Sequence, residues 1–448
     1  MTNNIKTWKL KCLLSILFAL GLTGCSDQIQ VNNETTSTKP VKYISYLTGS
    51  QQASGVLVKY RSSTNSNSRA RSLDSAGLVE QQQTELLDNL VLADPIDGLT
   101  VNDTLTSLST DPNILYAEPN YIMTPQAIIP NDPEFSKQLP LNNVDNIDID
   151  APEAWDVTTG SKNVLIAVID TGIDYTHPDL INQIWRNTNE IPDNQIDDDN
   201  NGYIDDVLGW DFYSNDNDPM DDHDHGTTVA GIIGAEGNNN LGITGVNWQV
   251  KLMPLKFLNA QGHGAISDVI KAIKYAVNNG AKISNNSWGG TFFSQSLFDT
   301  IQMAQQQDHL FITASGNYAS DNDKTPYYPS SYNLPNIISV AALDYKDKLA
   351  SFSNFGVNSV DIAAPGIAVY STARNNGYLN YSGSSNAAAL VTGAIGLMLS
   401  KSELLSAQEL KTALLASVIP LPNLTNFIAS GGKLNLFTAI DSVKTPVQ

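Results

Sequence analysis

Beyond about residue 130 the chain alternates apolar runs of strand length with longer amphipathic stretches. That alternation predicts a parallel sheet with crossover helices on its faces. Residues 164–169, 250–258, 310–314 and 336–342 are apolar over the length of a buried strand. Residues 267–278 have helical periodicity, with Ser267 placed to begin the helix, and 227–235 read as another helix. Residues 386–399 are apolar nearly all round, which predicts a central helix buried on every side.

The first 126 residues follow a different pattern. Lys6, Lys9 and Lys11 precede an apolar run over 12–22, the arrangement of a secretory signal peptide and too short for a spanning helix. Leu22-Thr23-Gly24-Cys25 resembles a bacterial lipobox. It implies cleavage after residue 24, acylation of Cys25 and export to the cell envelope, with Ser26 resembling outer-membrane sorting. Residues 25–40 are polar and aperiodic, the composition of a tether. Residues 41–126 read as a small α+β unit. Strands are expected at 43–47 and 56–60, a Ser/Asn/Arg-rich loop at 61–72 and a helix over 76–92. A short helix and a strand over 111–121 complete it.

Composition narrows the function. A net charge of -21 gives no basic patch for neutralising phosphates, which excludes a nucleic-acid binder. The two cysteines, Cys12 and Cys25, both lie at the N-terminus, so no disulfide holds the rest of the fold.

Three polar residues stand at the ends of apolar elements. Asp170 closes the run 164–169, at the sheet edge where open α/β sheets place their sites. His225 opens the helix at 227–235, and Ser385 opens the helix at 386–399. Singly, each has a bland reading: a serine before a helix is usually an N-cap, and a histidine among aspartates is usually solvated. In the order Asp, His, Ser they match one known arrangement of a catalytic triad.

The surrounding segments make the resemblance specific. Val168-Ile-Asp170-Thr-Gly-Ile-Asp174 with His177-Pro-Asp-Leu180 resembles the aspartate motif of subtilases. His225-Gly-Thr-Thr-Val-Ala-Gly-Ile232 and Ser382-Gly-Ser-Ser385-Asn-Ala-Ala-Ala-Leu390 are similar to their histidine and serine motifs. Phe352-Ser-Asn-Phe-Gly356 and Ala363-Ala-Pro-Gly366 are further blocks of this kind.

The resemblance implies a subtilisin-like doubly wound sheet over 130–442 and serine endopeptidase activity on proteins or peptides. Ser385 would be the nucleophile, His225 the base and Asp170 its orienting partner. It gives Asn317 as the oxyanion donor. Ser287, Trp288 and Gly289, with Ala314, Ser315 and Gly316, become walls for the substrate. Four positions depart from the family pattern: Ser384, Asn386, Ala389 and Leu390, as does Thr228 in the histidine motif. None supplies a proton or a donor in the triad scheme, so activity is expected. A peptide-binding pseudoprotease and a transacylase using the same triad are the alternatives.

Residues 41–126 resemble an inhibitor-type, ferredoxin-like propeptide. Cleavage between about 123 and 135 would then free the catalytic part from the lipid on Cys25. Asp197, Asp199, Asn201, Tyr203 and Asp205, with Gly202 at the turn, fit the first half of an EF-hand-like calcium loop. Asp211, Asp216 and Asp218 offer a weaker second site.

Overall fold

The structure is a computed structural model. It describes residues 43–44, 46, 53–81, 87–121 and 128–443, which fall into two units. The signal peptide, Cys25, the tether and residues 444–448 lie outside the described residues.

The first unit contains β1 (Tyr43–Ile44), β2 (Ala53–Tyr60), α1 (Ser66–Ser75), β3 (Leu78–Glu80), β4 (Leu90–Pro95), α2 (Val101–Leu108) and β5 (Ile114–Tyr121). Its sheet order is β1-β5-β2-β4-β3, with every pair antiparallel except β1 with β5. From β2 to β5 this is the βαββαβ order of a ferredoxin-like unit.

Two expectations fail here. The polar segment expected to be a loop is α1: Asn65 caps it by accepting from the Ser68 N–H, and Leu73 anchors it in the core. Where a helix was expected over 76–92, Gly77 turns the chain at φ +67° and β3 begins one residue later. In β4, Val91 and Ala93 alternate inward with period two, which fits a strand and not a helix.

The second unit is built on a nine-stranded sheet. Its elements begin with α3 (Ala151–Trp155), β6 (Gly160–Asp170), β7 (Trp210–Asp211), α4 (His225–Gly234) and β8 (Gln249–Lys256). Next come α5 (Ile266–Asn278), β9 (Ile283–Asn286), α6 (Gln295–Gln306), β10 (Leu310–Ala314), β11 (Ile337–Leu343) and β12 (Ile362–Pro365). A hairpin of β13 (Val369–Ala373) and β14 (Gly377–Tyr381) leads into α7 (Ser384–Lys401). The chain finishes with α8 (Ala407–Ala416), β15 (Ile419–Pro420), β16 (Gly432–Lys433) and α9 (Leu436–Ser442).

Strand order is β15-β16-β12-β11-β10-β9-β6-β8-β7, and all neighbours are parallel except β15 with β16. Alternation along β6 divides the core. Ile166 and Val168 enter the layer under α4 and α7, whereas Ala167 and Ile169 enter the layer under α5 and α6. Each fully buried Leu or Ile contributes about 1.5–3 kcal/mol by leaving water.

The expected central helix is α7, buried from Ser384 through Leu399. Among the described residues no helix is long and apolar enough to cross a membrane. The helix at 267–278 begins one residue earlier, at Ile266, and Ser267 does not cap it. Because the central strands are parallel, the C-terminal ends of β6, β9 and β10 lie on one edge. That edge carries Asp170, the segment after Asn286, and Ala314.

Candidate active site

Asp170 is fully buried at the end of β6. Its Oδ1 accepts from its neighbour's amide, the Thr171 N–H, at 2.7 Å and lies 2.7 Å from His225 Nδ1. His225 opens α4, and the approach of the two segments is close. A Cβ on Gly226 would stand 2.0 Å from the Gly172 carbonyl oxygen, so only glycine fits.

A hydroxyl network fixes this contact. The Gly226 N–H donates to Thr171 Oγ1, which donates to Asp221 Oδ1 at 2.8 Å. The other Asp221 oxygen accepts from both the backbone and the hydroxyl of Thr227. Lys256, buried at the end of β8, ties the same loops together. Its ammonium donates to the carbonyls of Thr171 and Leu258 and to Asp222 Oδ1.

Burial pulls the His225 imidazole down. The Asp170 charge, their hydrogen bond and Asp221 outweigh it, so the group lies above its usual range.

Ser385 sits in the first turn of α7, 7% exposed. Its hydroxyl points at the Ser287 carbonyl at 3.4 Å, and no hydrogen bond joins it to His225. Catalytic contacts are often loose before substrate binds, so this geometry is compatible with the role. In return, Ser287 Oγ donates to the Ser385 carbonyl at 3.1 Å.

Asn317 is oriented by its acceptor side. Its Oδ1 takes the Ser384 N–H at 2.8 Å and the Ser384 hydroxyl at 2.9 Å. Accepting a backbone amide forces the Oδ1 assignment and leaves Nδ2 free to donate. Nδ2 would lie 3.4 Å from a Cβ on Gly383, two residues before Ser385. The Ser384 hydroxyl also accepts from the Gly316 N–H at 3.1 Å.

Three of the other departures, Ala389, Leu390 and Thr228, are accommodated by packing or hydrogen bonding. Ala389 and Leu390 are fully buried in the layer under α7. Thr228 donates to the Thr372 carbonyl, helping dock β13 on α4. Asn386 is buried, and neither polar atom of its amide has a hydrogen-bond partner.

The expected walls flank Ser385. Trp288 is held by its Nε1 donating to the Ile169 carbonyl at 2.9 Å and by edge contacts with Phe257 and Phe311. Ala314 ends β10, Ser315 Oγ donates to the Asn354 carbonyl, and Gly316 turns the chain at φ +110°. The Phe352–Gly356 block serves this loop: the Asn354 side chain accepts from the Tyr318 and Ser320 amides. His177 reaches the Gly377 carbonyl and so anchors the hairpin that precedes α7. A cavity of about 700 Å³ adjoins His225, Trp288 and Tyr327 and is lined on its other sides by Leu258, Ile266 and Val269.

The acidic loop is held by carboxylates that accept from its own backbone amides. Asp197 accepts from the Asn201 and Gly202 amides, and Asp205 accepts from those of Asn194 and Gln195. Tyr203 packs its ring against Trp210 and Tyr275. The carboxylates brought within 4.8 Å of one another are Glu190, Asp199 and Asp206. Two of these three the sequence reading did not include. None of them pairs with Lys or Arg among the described residues. Burial first, with the Asp199 charge adding to it, raises Asp206; burial and the Asp206 charge likewise raise Glu190. Buried oxygens without a cation partner suit a hard divalent ion such as calcium. Asp211, Asp216 and Asp218 instead accept from amides of their own turns or from Tyr175, and their carboxylates do not converge.

Comparison with known proteins bears on the fold and on the class of activity. The Subtilase family profile matches residues 161–437. The chain is 33% identical over 402 residues to a thermophilic serine proteinase of Bacillus sp. (strain AK1), covering 88% of this chain and 90% of that protein. It is 33% identical over 311 residues to thermitase of Thermoactinomyces vulgaris, covering 69% of this chain and 99% of that one. With subtilisin-like protease 1 of Plasmodium berghei (strain Anka) it shares 36% over 305 residues, 63% of this chain but only 51% of that protein. Among solved structures, a protease from Pseudoalteromonas arctica superposes with a TM-score of 0.58 at 26% identity, covering 70% of this chain and 99% of that chain. The chain belongs to the subtilase family and is a serine-type peptidase with the subtilisin-like α/β fold.

Proposed function

We propose that this chain is an exported, lipid-anchored endopeptidase that hydrolyses peptide bonds through an acyl-enzyme on Ser385. The observation that carries the reading is the 2.7 Å contact of His225 Nδ1 with buried Asp170, beside a nucleophile whose neighbouring amide donor is already oriented. Ser385 Oγ attacks the scissile carbonyl as His225 Nε2 takes its proton. His225 then passes that proton to the leaving amine. Asp170 holds the ring in the tautomer with hydrogen on Nδ1 and stabilises the imidazolium that forms. Asn317 Nδ2 and the Ser385 N–H receive the oxyanion. Water, deprotonated by His225, then releases the acid product.

Calcium fits Glu190, Asp199 and Asp206, with Asp197, Asn201, Tyr203 and Asp205 shaping the loop around them. Bound there, the ion would supply positive charge to a buried acidic cluster and clip the 187–206 segment, with no part in the chemical steps.

Residues 41–126 act as an intramolecular inhibitor, a reading supported by their βαββαβ order and their resemblance to such propeptides. Cys25 carries the lipid, placing the enzyme in the cell envelope, and processing after the propeptide releases the catalytic part. A fluorophosphonate probe tests the central step. It should label Ser385 in protein cut between about 123 and 135, and should leave His225→Ala unlabelled; labelling that persists in His225→Ala would refute the assignment of the base.

A further inference from the structure

The residue before the scissile bond must place its side chain beside Ser385, in the gap between the Ser287–Gly289 wall and the Ala314–Gly316 wall. Both walls end in glycine, and the structure shows what faces each one. A Cβ on Gly289 would stand 2.4 Å from Tyr327 Cε1 and 2.9 Å from Tyr327 Cζ. A Cβ on Gly316 would stand 3.1 Å from Tyr327 Cδ1. One phenol ring therefore touches both walls and bridges the gap between them.

The backbone that carries the ring is fixed on both sides. The Tyr327 N–H donates to Ser331 Oγ at 3.0 Å. The next residue, Tyr328, exchanges two backbone hydrogen bonds with Gly290, at 2.8 and 2.7 Å, which fastens the segment to the end of the first wall. On the outer side the ring meets Tyr318, centroid to centroid at 5.8 Å. A substrate side chain entering the gap meets a packed aromatic floor, and displacing that floor would break the contacts with both glycines.

We infer that Tyr327 sets the specificity of the enzyme by closing the pocket beside the nucleophile, so that the residue before the cut is a small one. This rests on the reading of Ser385 as nucleophile. Neither wall has a side chain aimed at this gap at its glycine, so discrimination is steric. Alanine or glycine fits between the walls, whereas phenylalanine or leucine collides with the ring. Steric exclusion in a fixed pocket is worth on the order of 10–200-fold.

The test uses two quenched peptides that differ only in the residue before the cut, alanine or phenylalanine, with the cut confirmed by product mass. The unaltered enzyme should favour the alanine peptide by about 100-fold in kcat/KM. Tyr327→Phe keeps the ring and should keep that ratio, while Tyr327→Gly should bring it below about 10-fold or invert it. Comparable cleavage of both peptides by the unaltered enzyme would overturn the inference, as would an unchanged ratio in Tyr327→Gly. If Tyr327→Gly does not fold, the rates at which alanyl and phenylalanyl phosphonates inactivate the unaltered enzyme decide the matter in the same way. If neither phosphonate labels Ser385 and neither peptide is cut, the nucleophile assignment itself has failed and this inference with it. Labelling without size preference defeats the inference alone.

Discussion

His309 offers a sharp test of how the sheet edge is held. It precedes β10 and is fully buried. Its Nδ1 donates to the Ala281 carbonyl at 2.6 Å, and its Nε2 accepts from Ser284 Oγ at 2.8 Å. Ser284 Oγ in turn accepts from the Asn286 side chain, so the ring ties β9 to β10 close to where the Ser287–Gly289 segment begins. Burial drives the imidazole down to about 4, and the Ala281 hydrogen bond offsets this only in part. The unfolded chain has the ordinary value near 6.5. Below 6.5 the unfolded state binds the extra proton and the native state does not. The contribution is therefore fully present above 6.5 and is lost as pH falls toward 4. Two and a half pK units correspond to about 3 kcal/mol in total, of which about 2 kcal/mol is gone by pH 5. Urea unfolding of Ser385→Ala protein, which avoids self-digestion, would be measured at pH 7.5 and pH 5 with and without His309→Gln. Other titrating groups, such as Asp148 raised by burial to about 6, cancel in the difference. The parent should lose about 2 kcal/mol more than the variant over this interval. Equal losses would refute the claim that a buried neutral imidazole joins these strands.

Because Asp170 holds His225 above its usual range, the base becomes neutral only at higher pH; kcat/KM should rise with a midpoint above 6.5. Asp170→Asn should lower that midpoint and reduce kcat by about 10⁴, measured with a peptide substrate across pH 5–9. Asn317→Ala should cost about 10²–10³ in kcat with KM little changed, since the donor acts on the oxyanion and not on the bound substrate. Removal of calcium by EDTA should lower Tm by about 5 °C, taking an ion at about 100 times its Kd. Asp206→Asn should abolish that response, and an EDTA-insensitive Tm in the parent would exclude the metal.

The large unit was legible because its strands are parallel and buried on both faces, which writes them as continuous apolar runs. The residues assigned to the triad stand at the ends of such runs. The small unit was harder. Ser66–Ser75 is rich in residues that also favour turns, and only the Asn65 cap and Leu73 reveal a helix. Glu190 escaped notice because it lies nine positions before Asp199 and comes close only when the loop folds back. Asp221 and Lys256 look like ordinary surface charges in sequence, yet both are buried among the loops that carry Asp170 and His225. Tyr327 carries no motif, and only the fold brings its ring against two glycines distant in sequence.

The most direct test of the account is cleavage of a generic protein substrate by the purified chain, beside Ser385→Ala and beside enzyme treated with a serine-directed covalent inhibitor. The account predicts activity that disappears in both controls. Activity that survives in Ser385→Ala, or none from protein freed of the segment before about residue 130 and supplied with calcium, would contradict it.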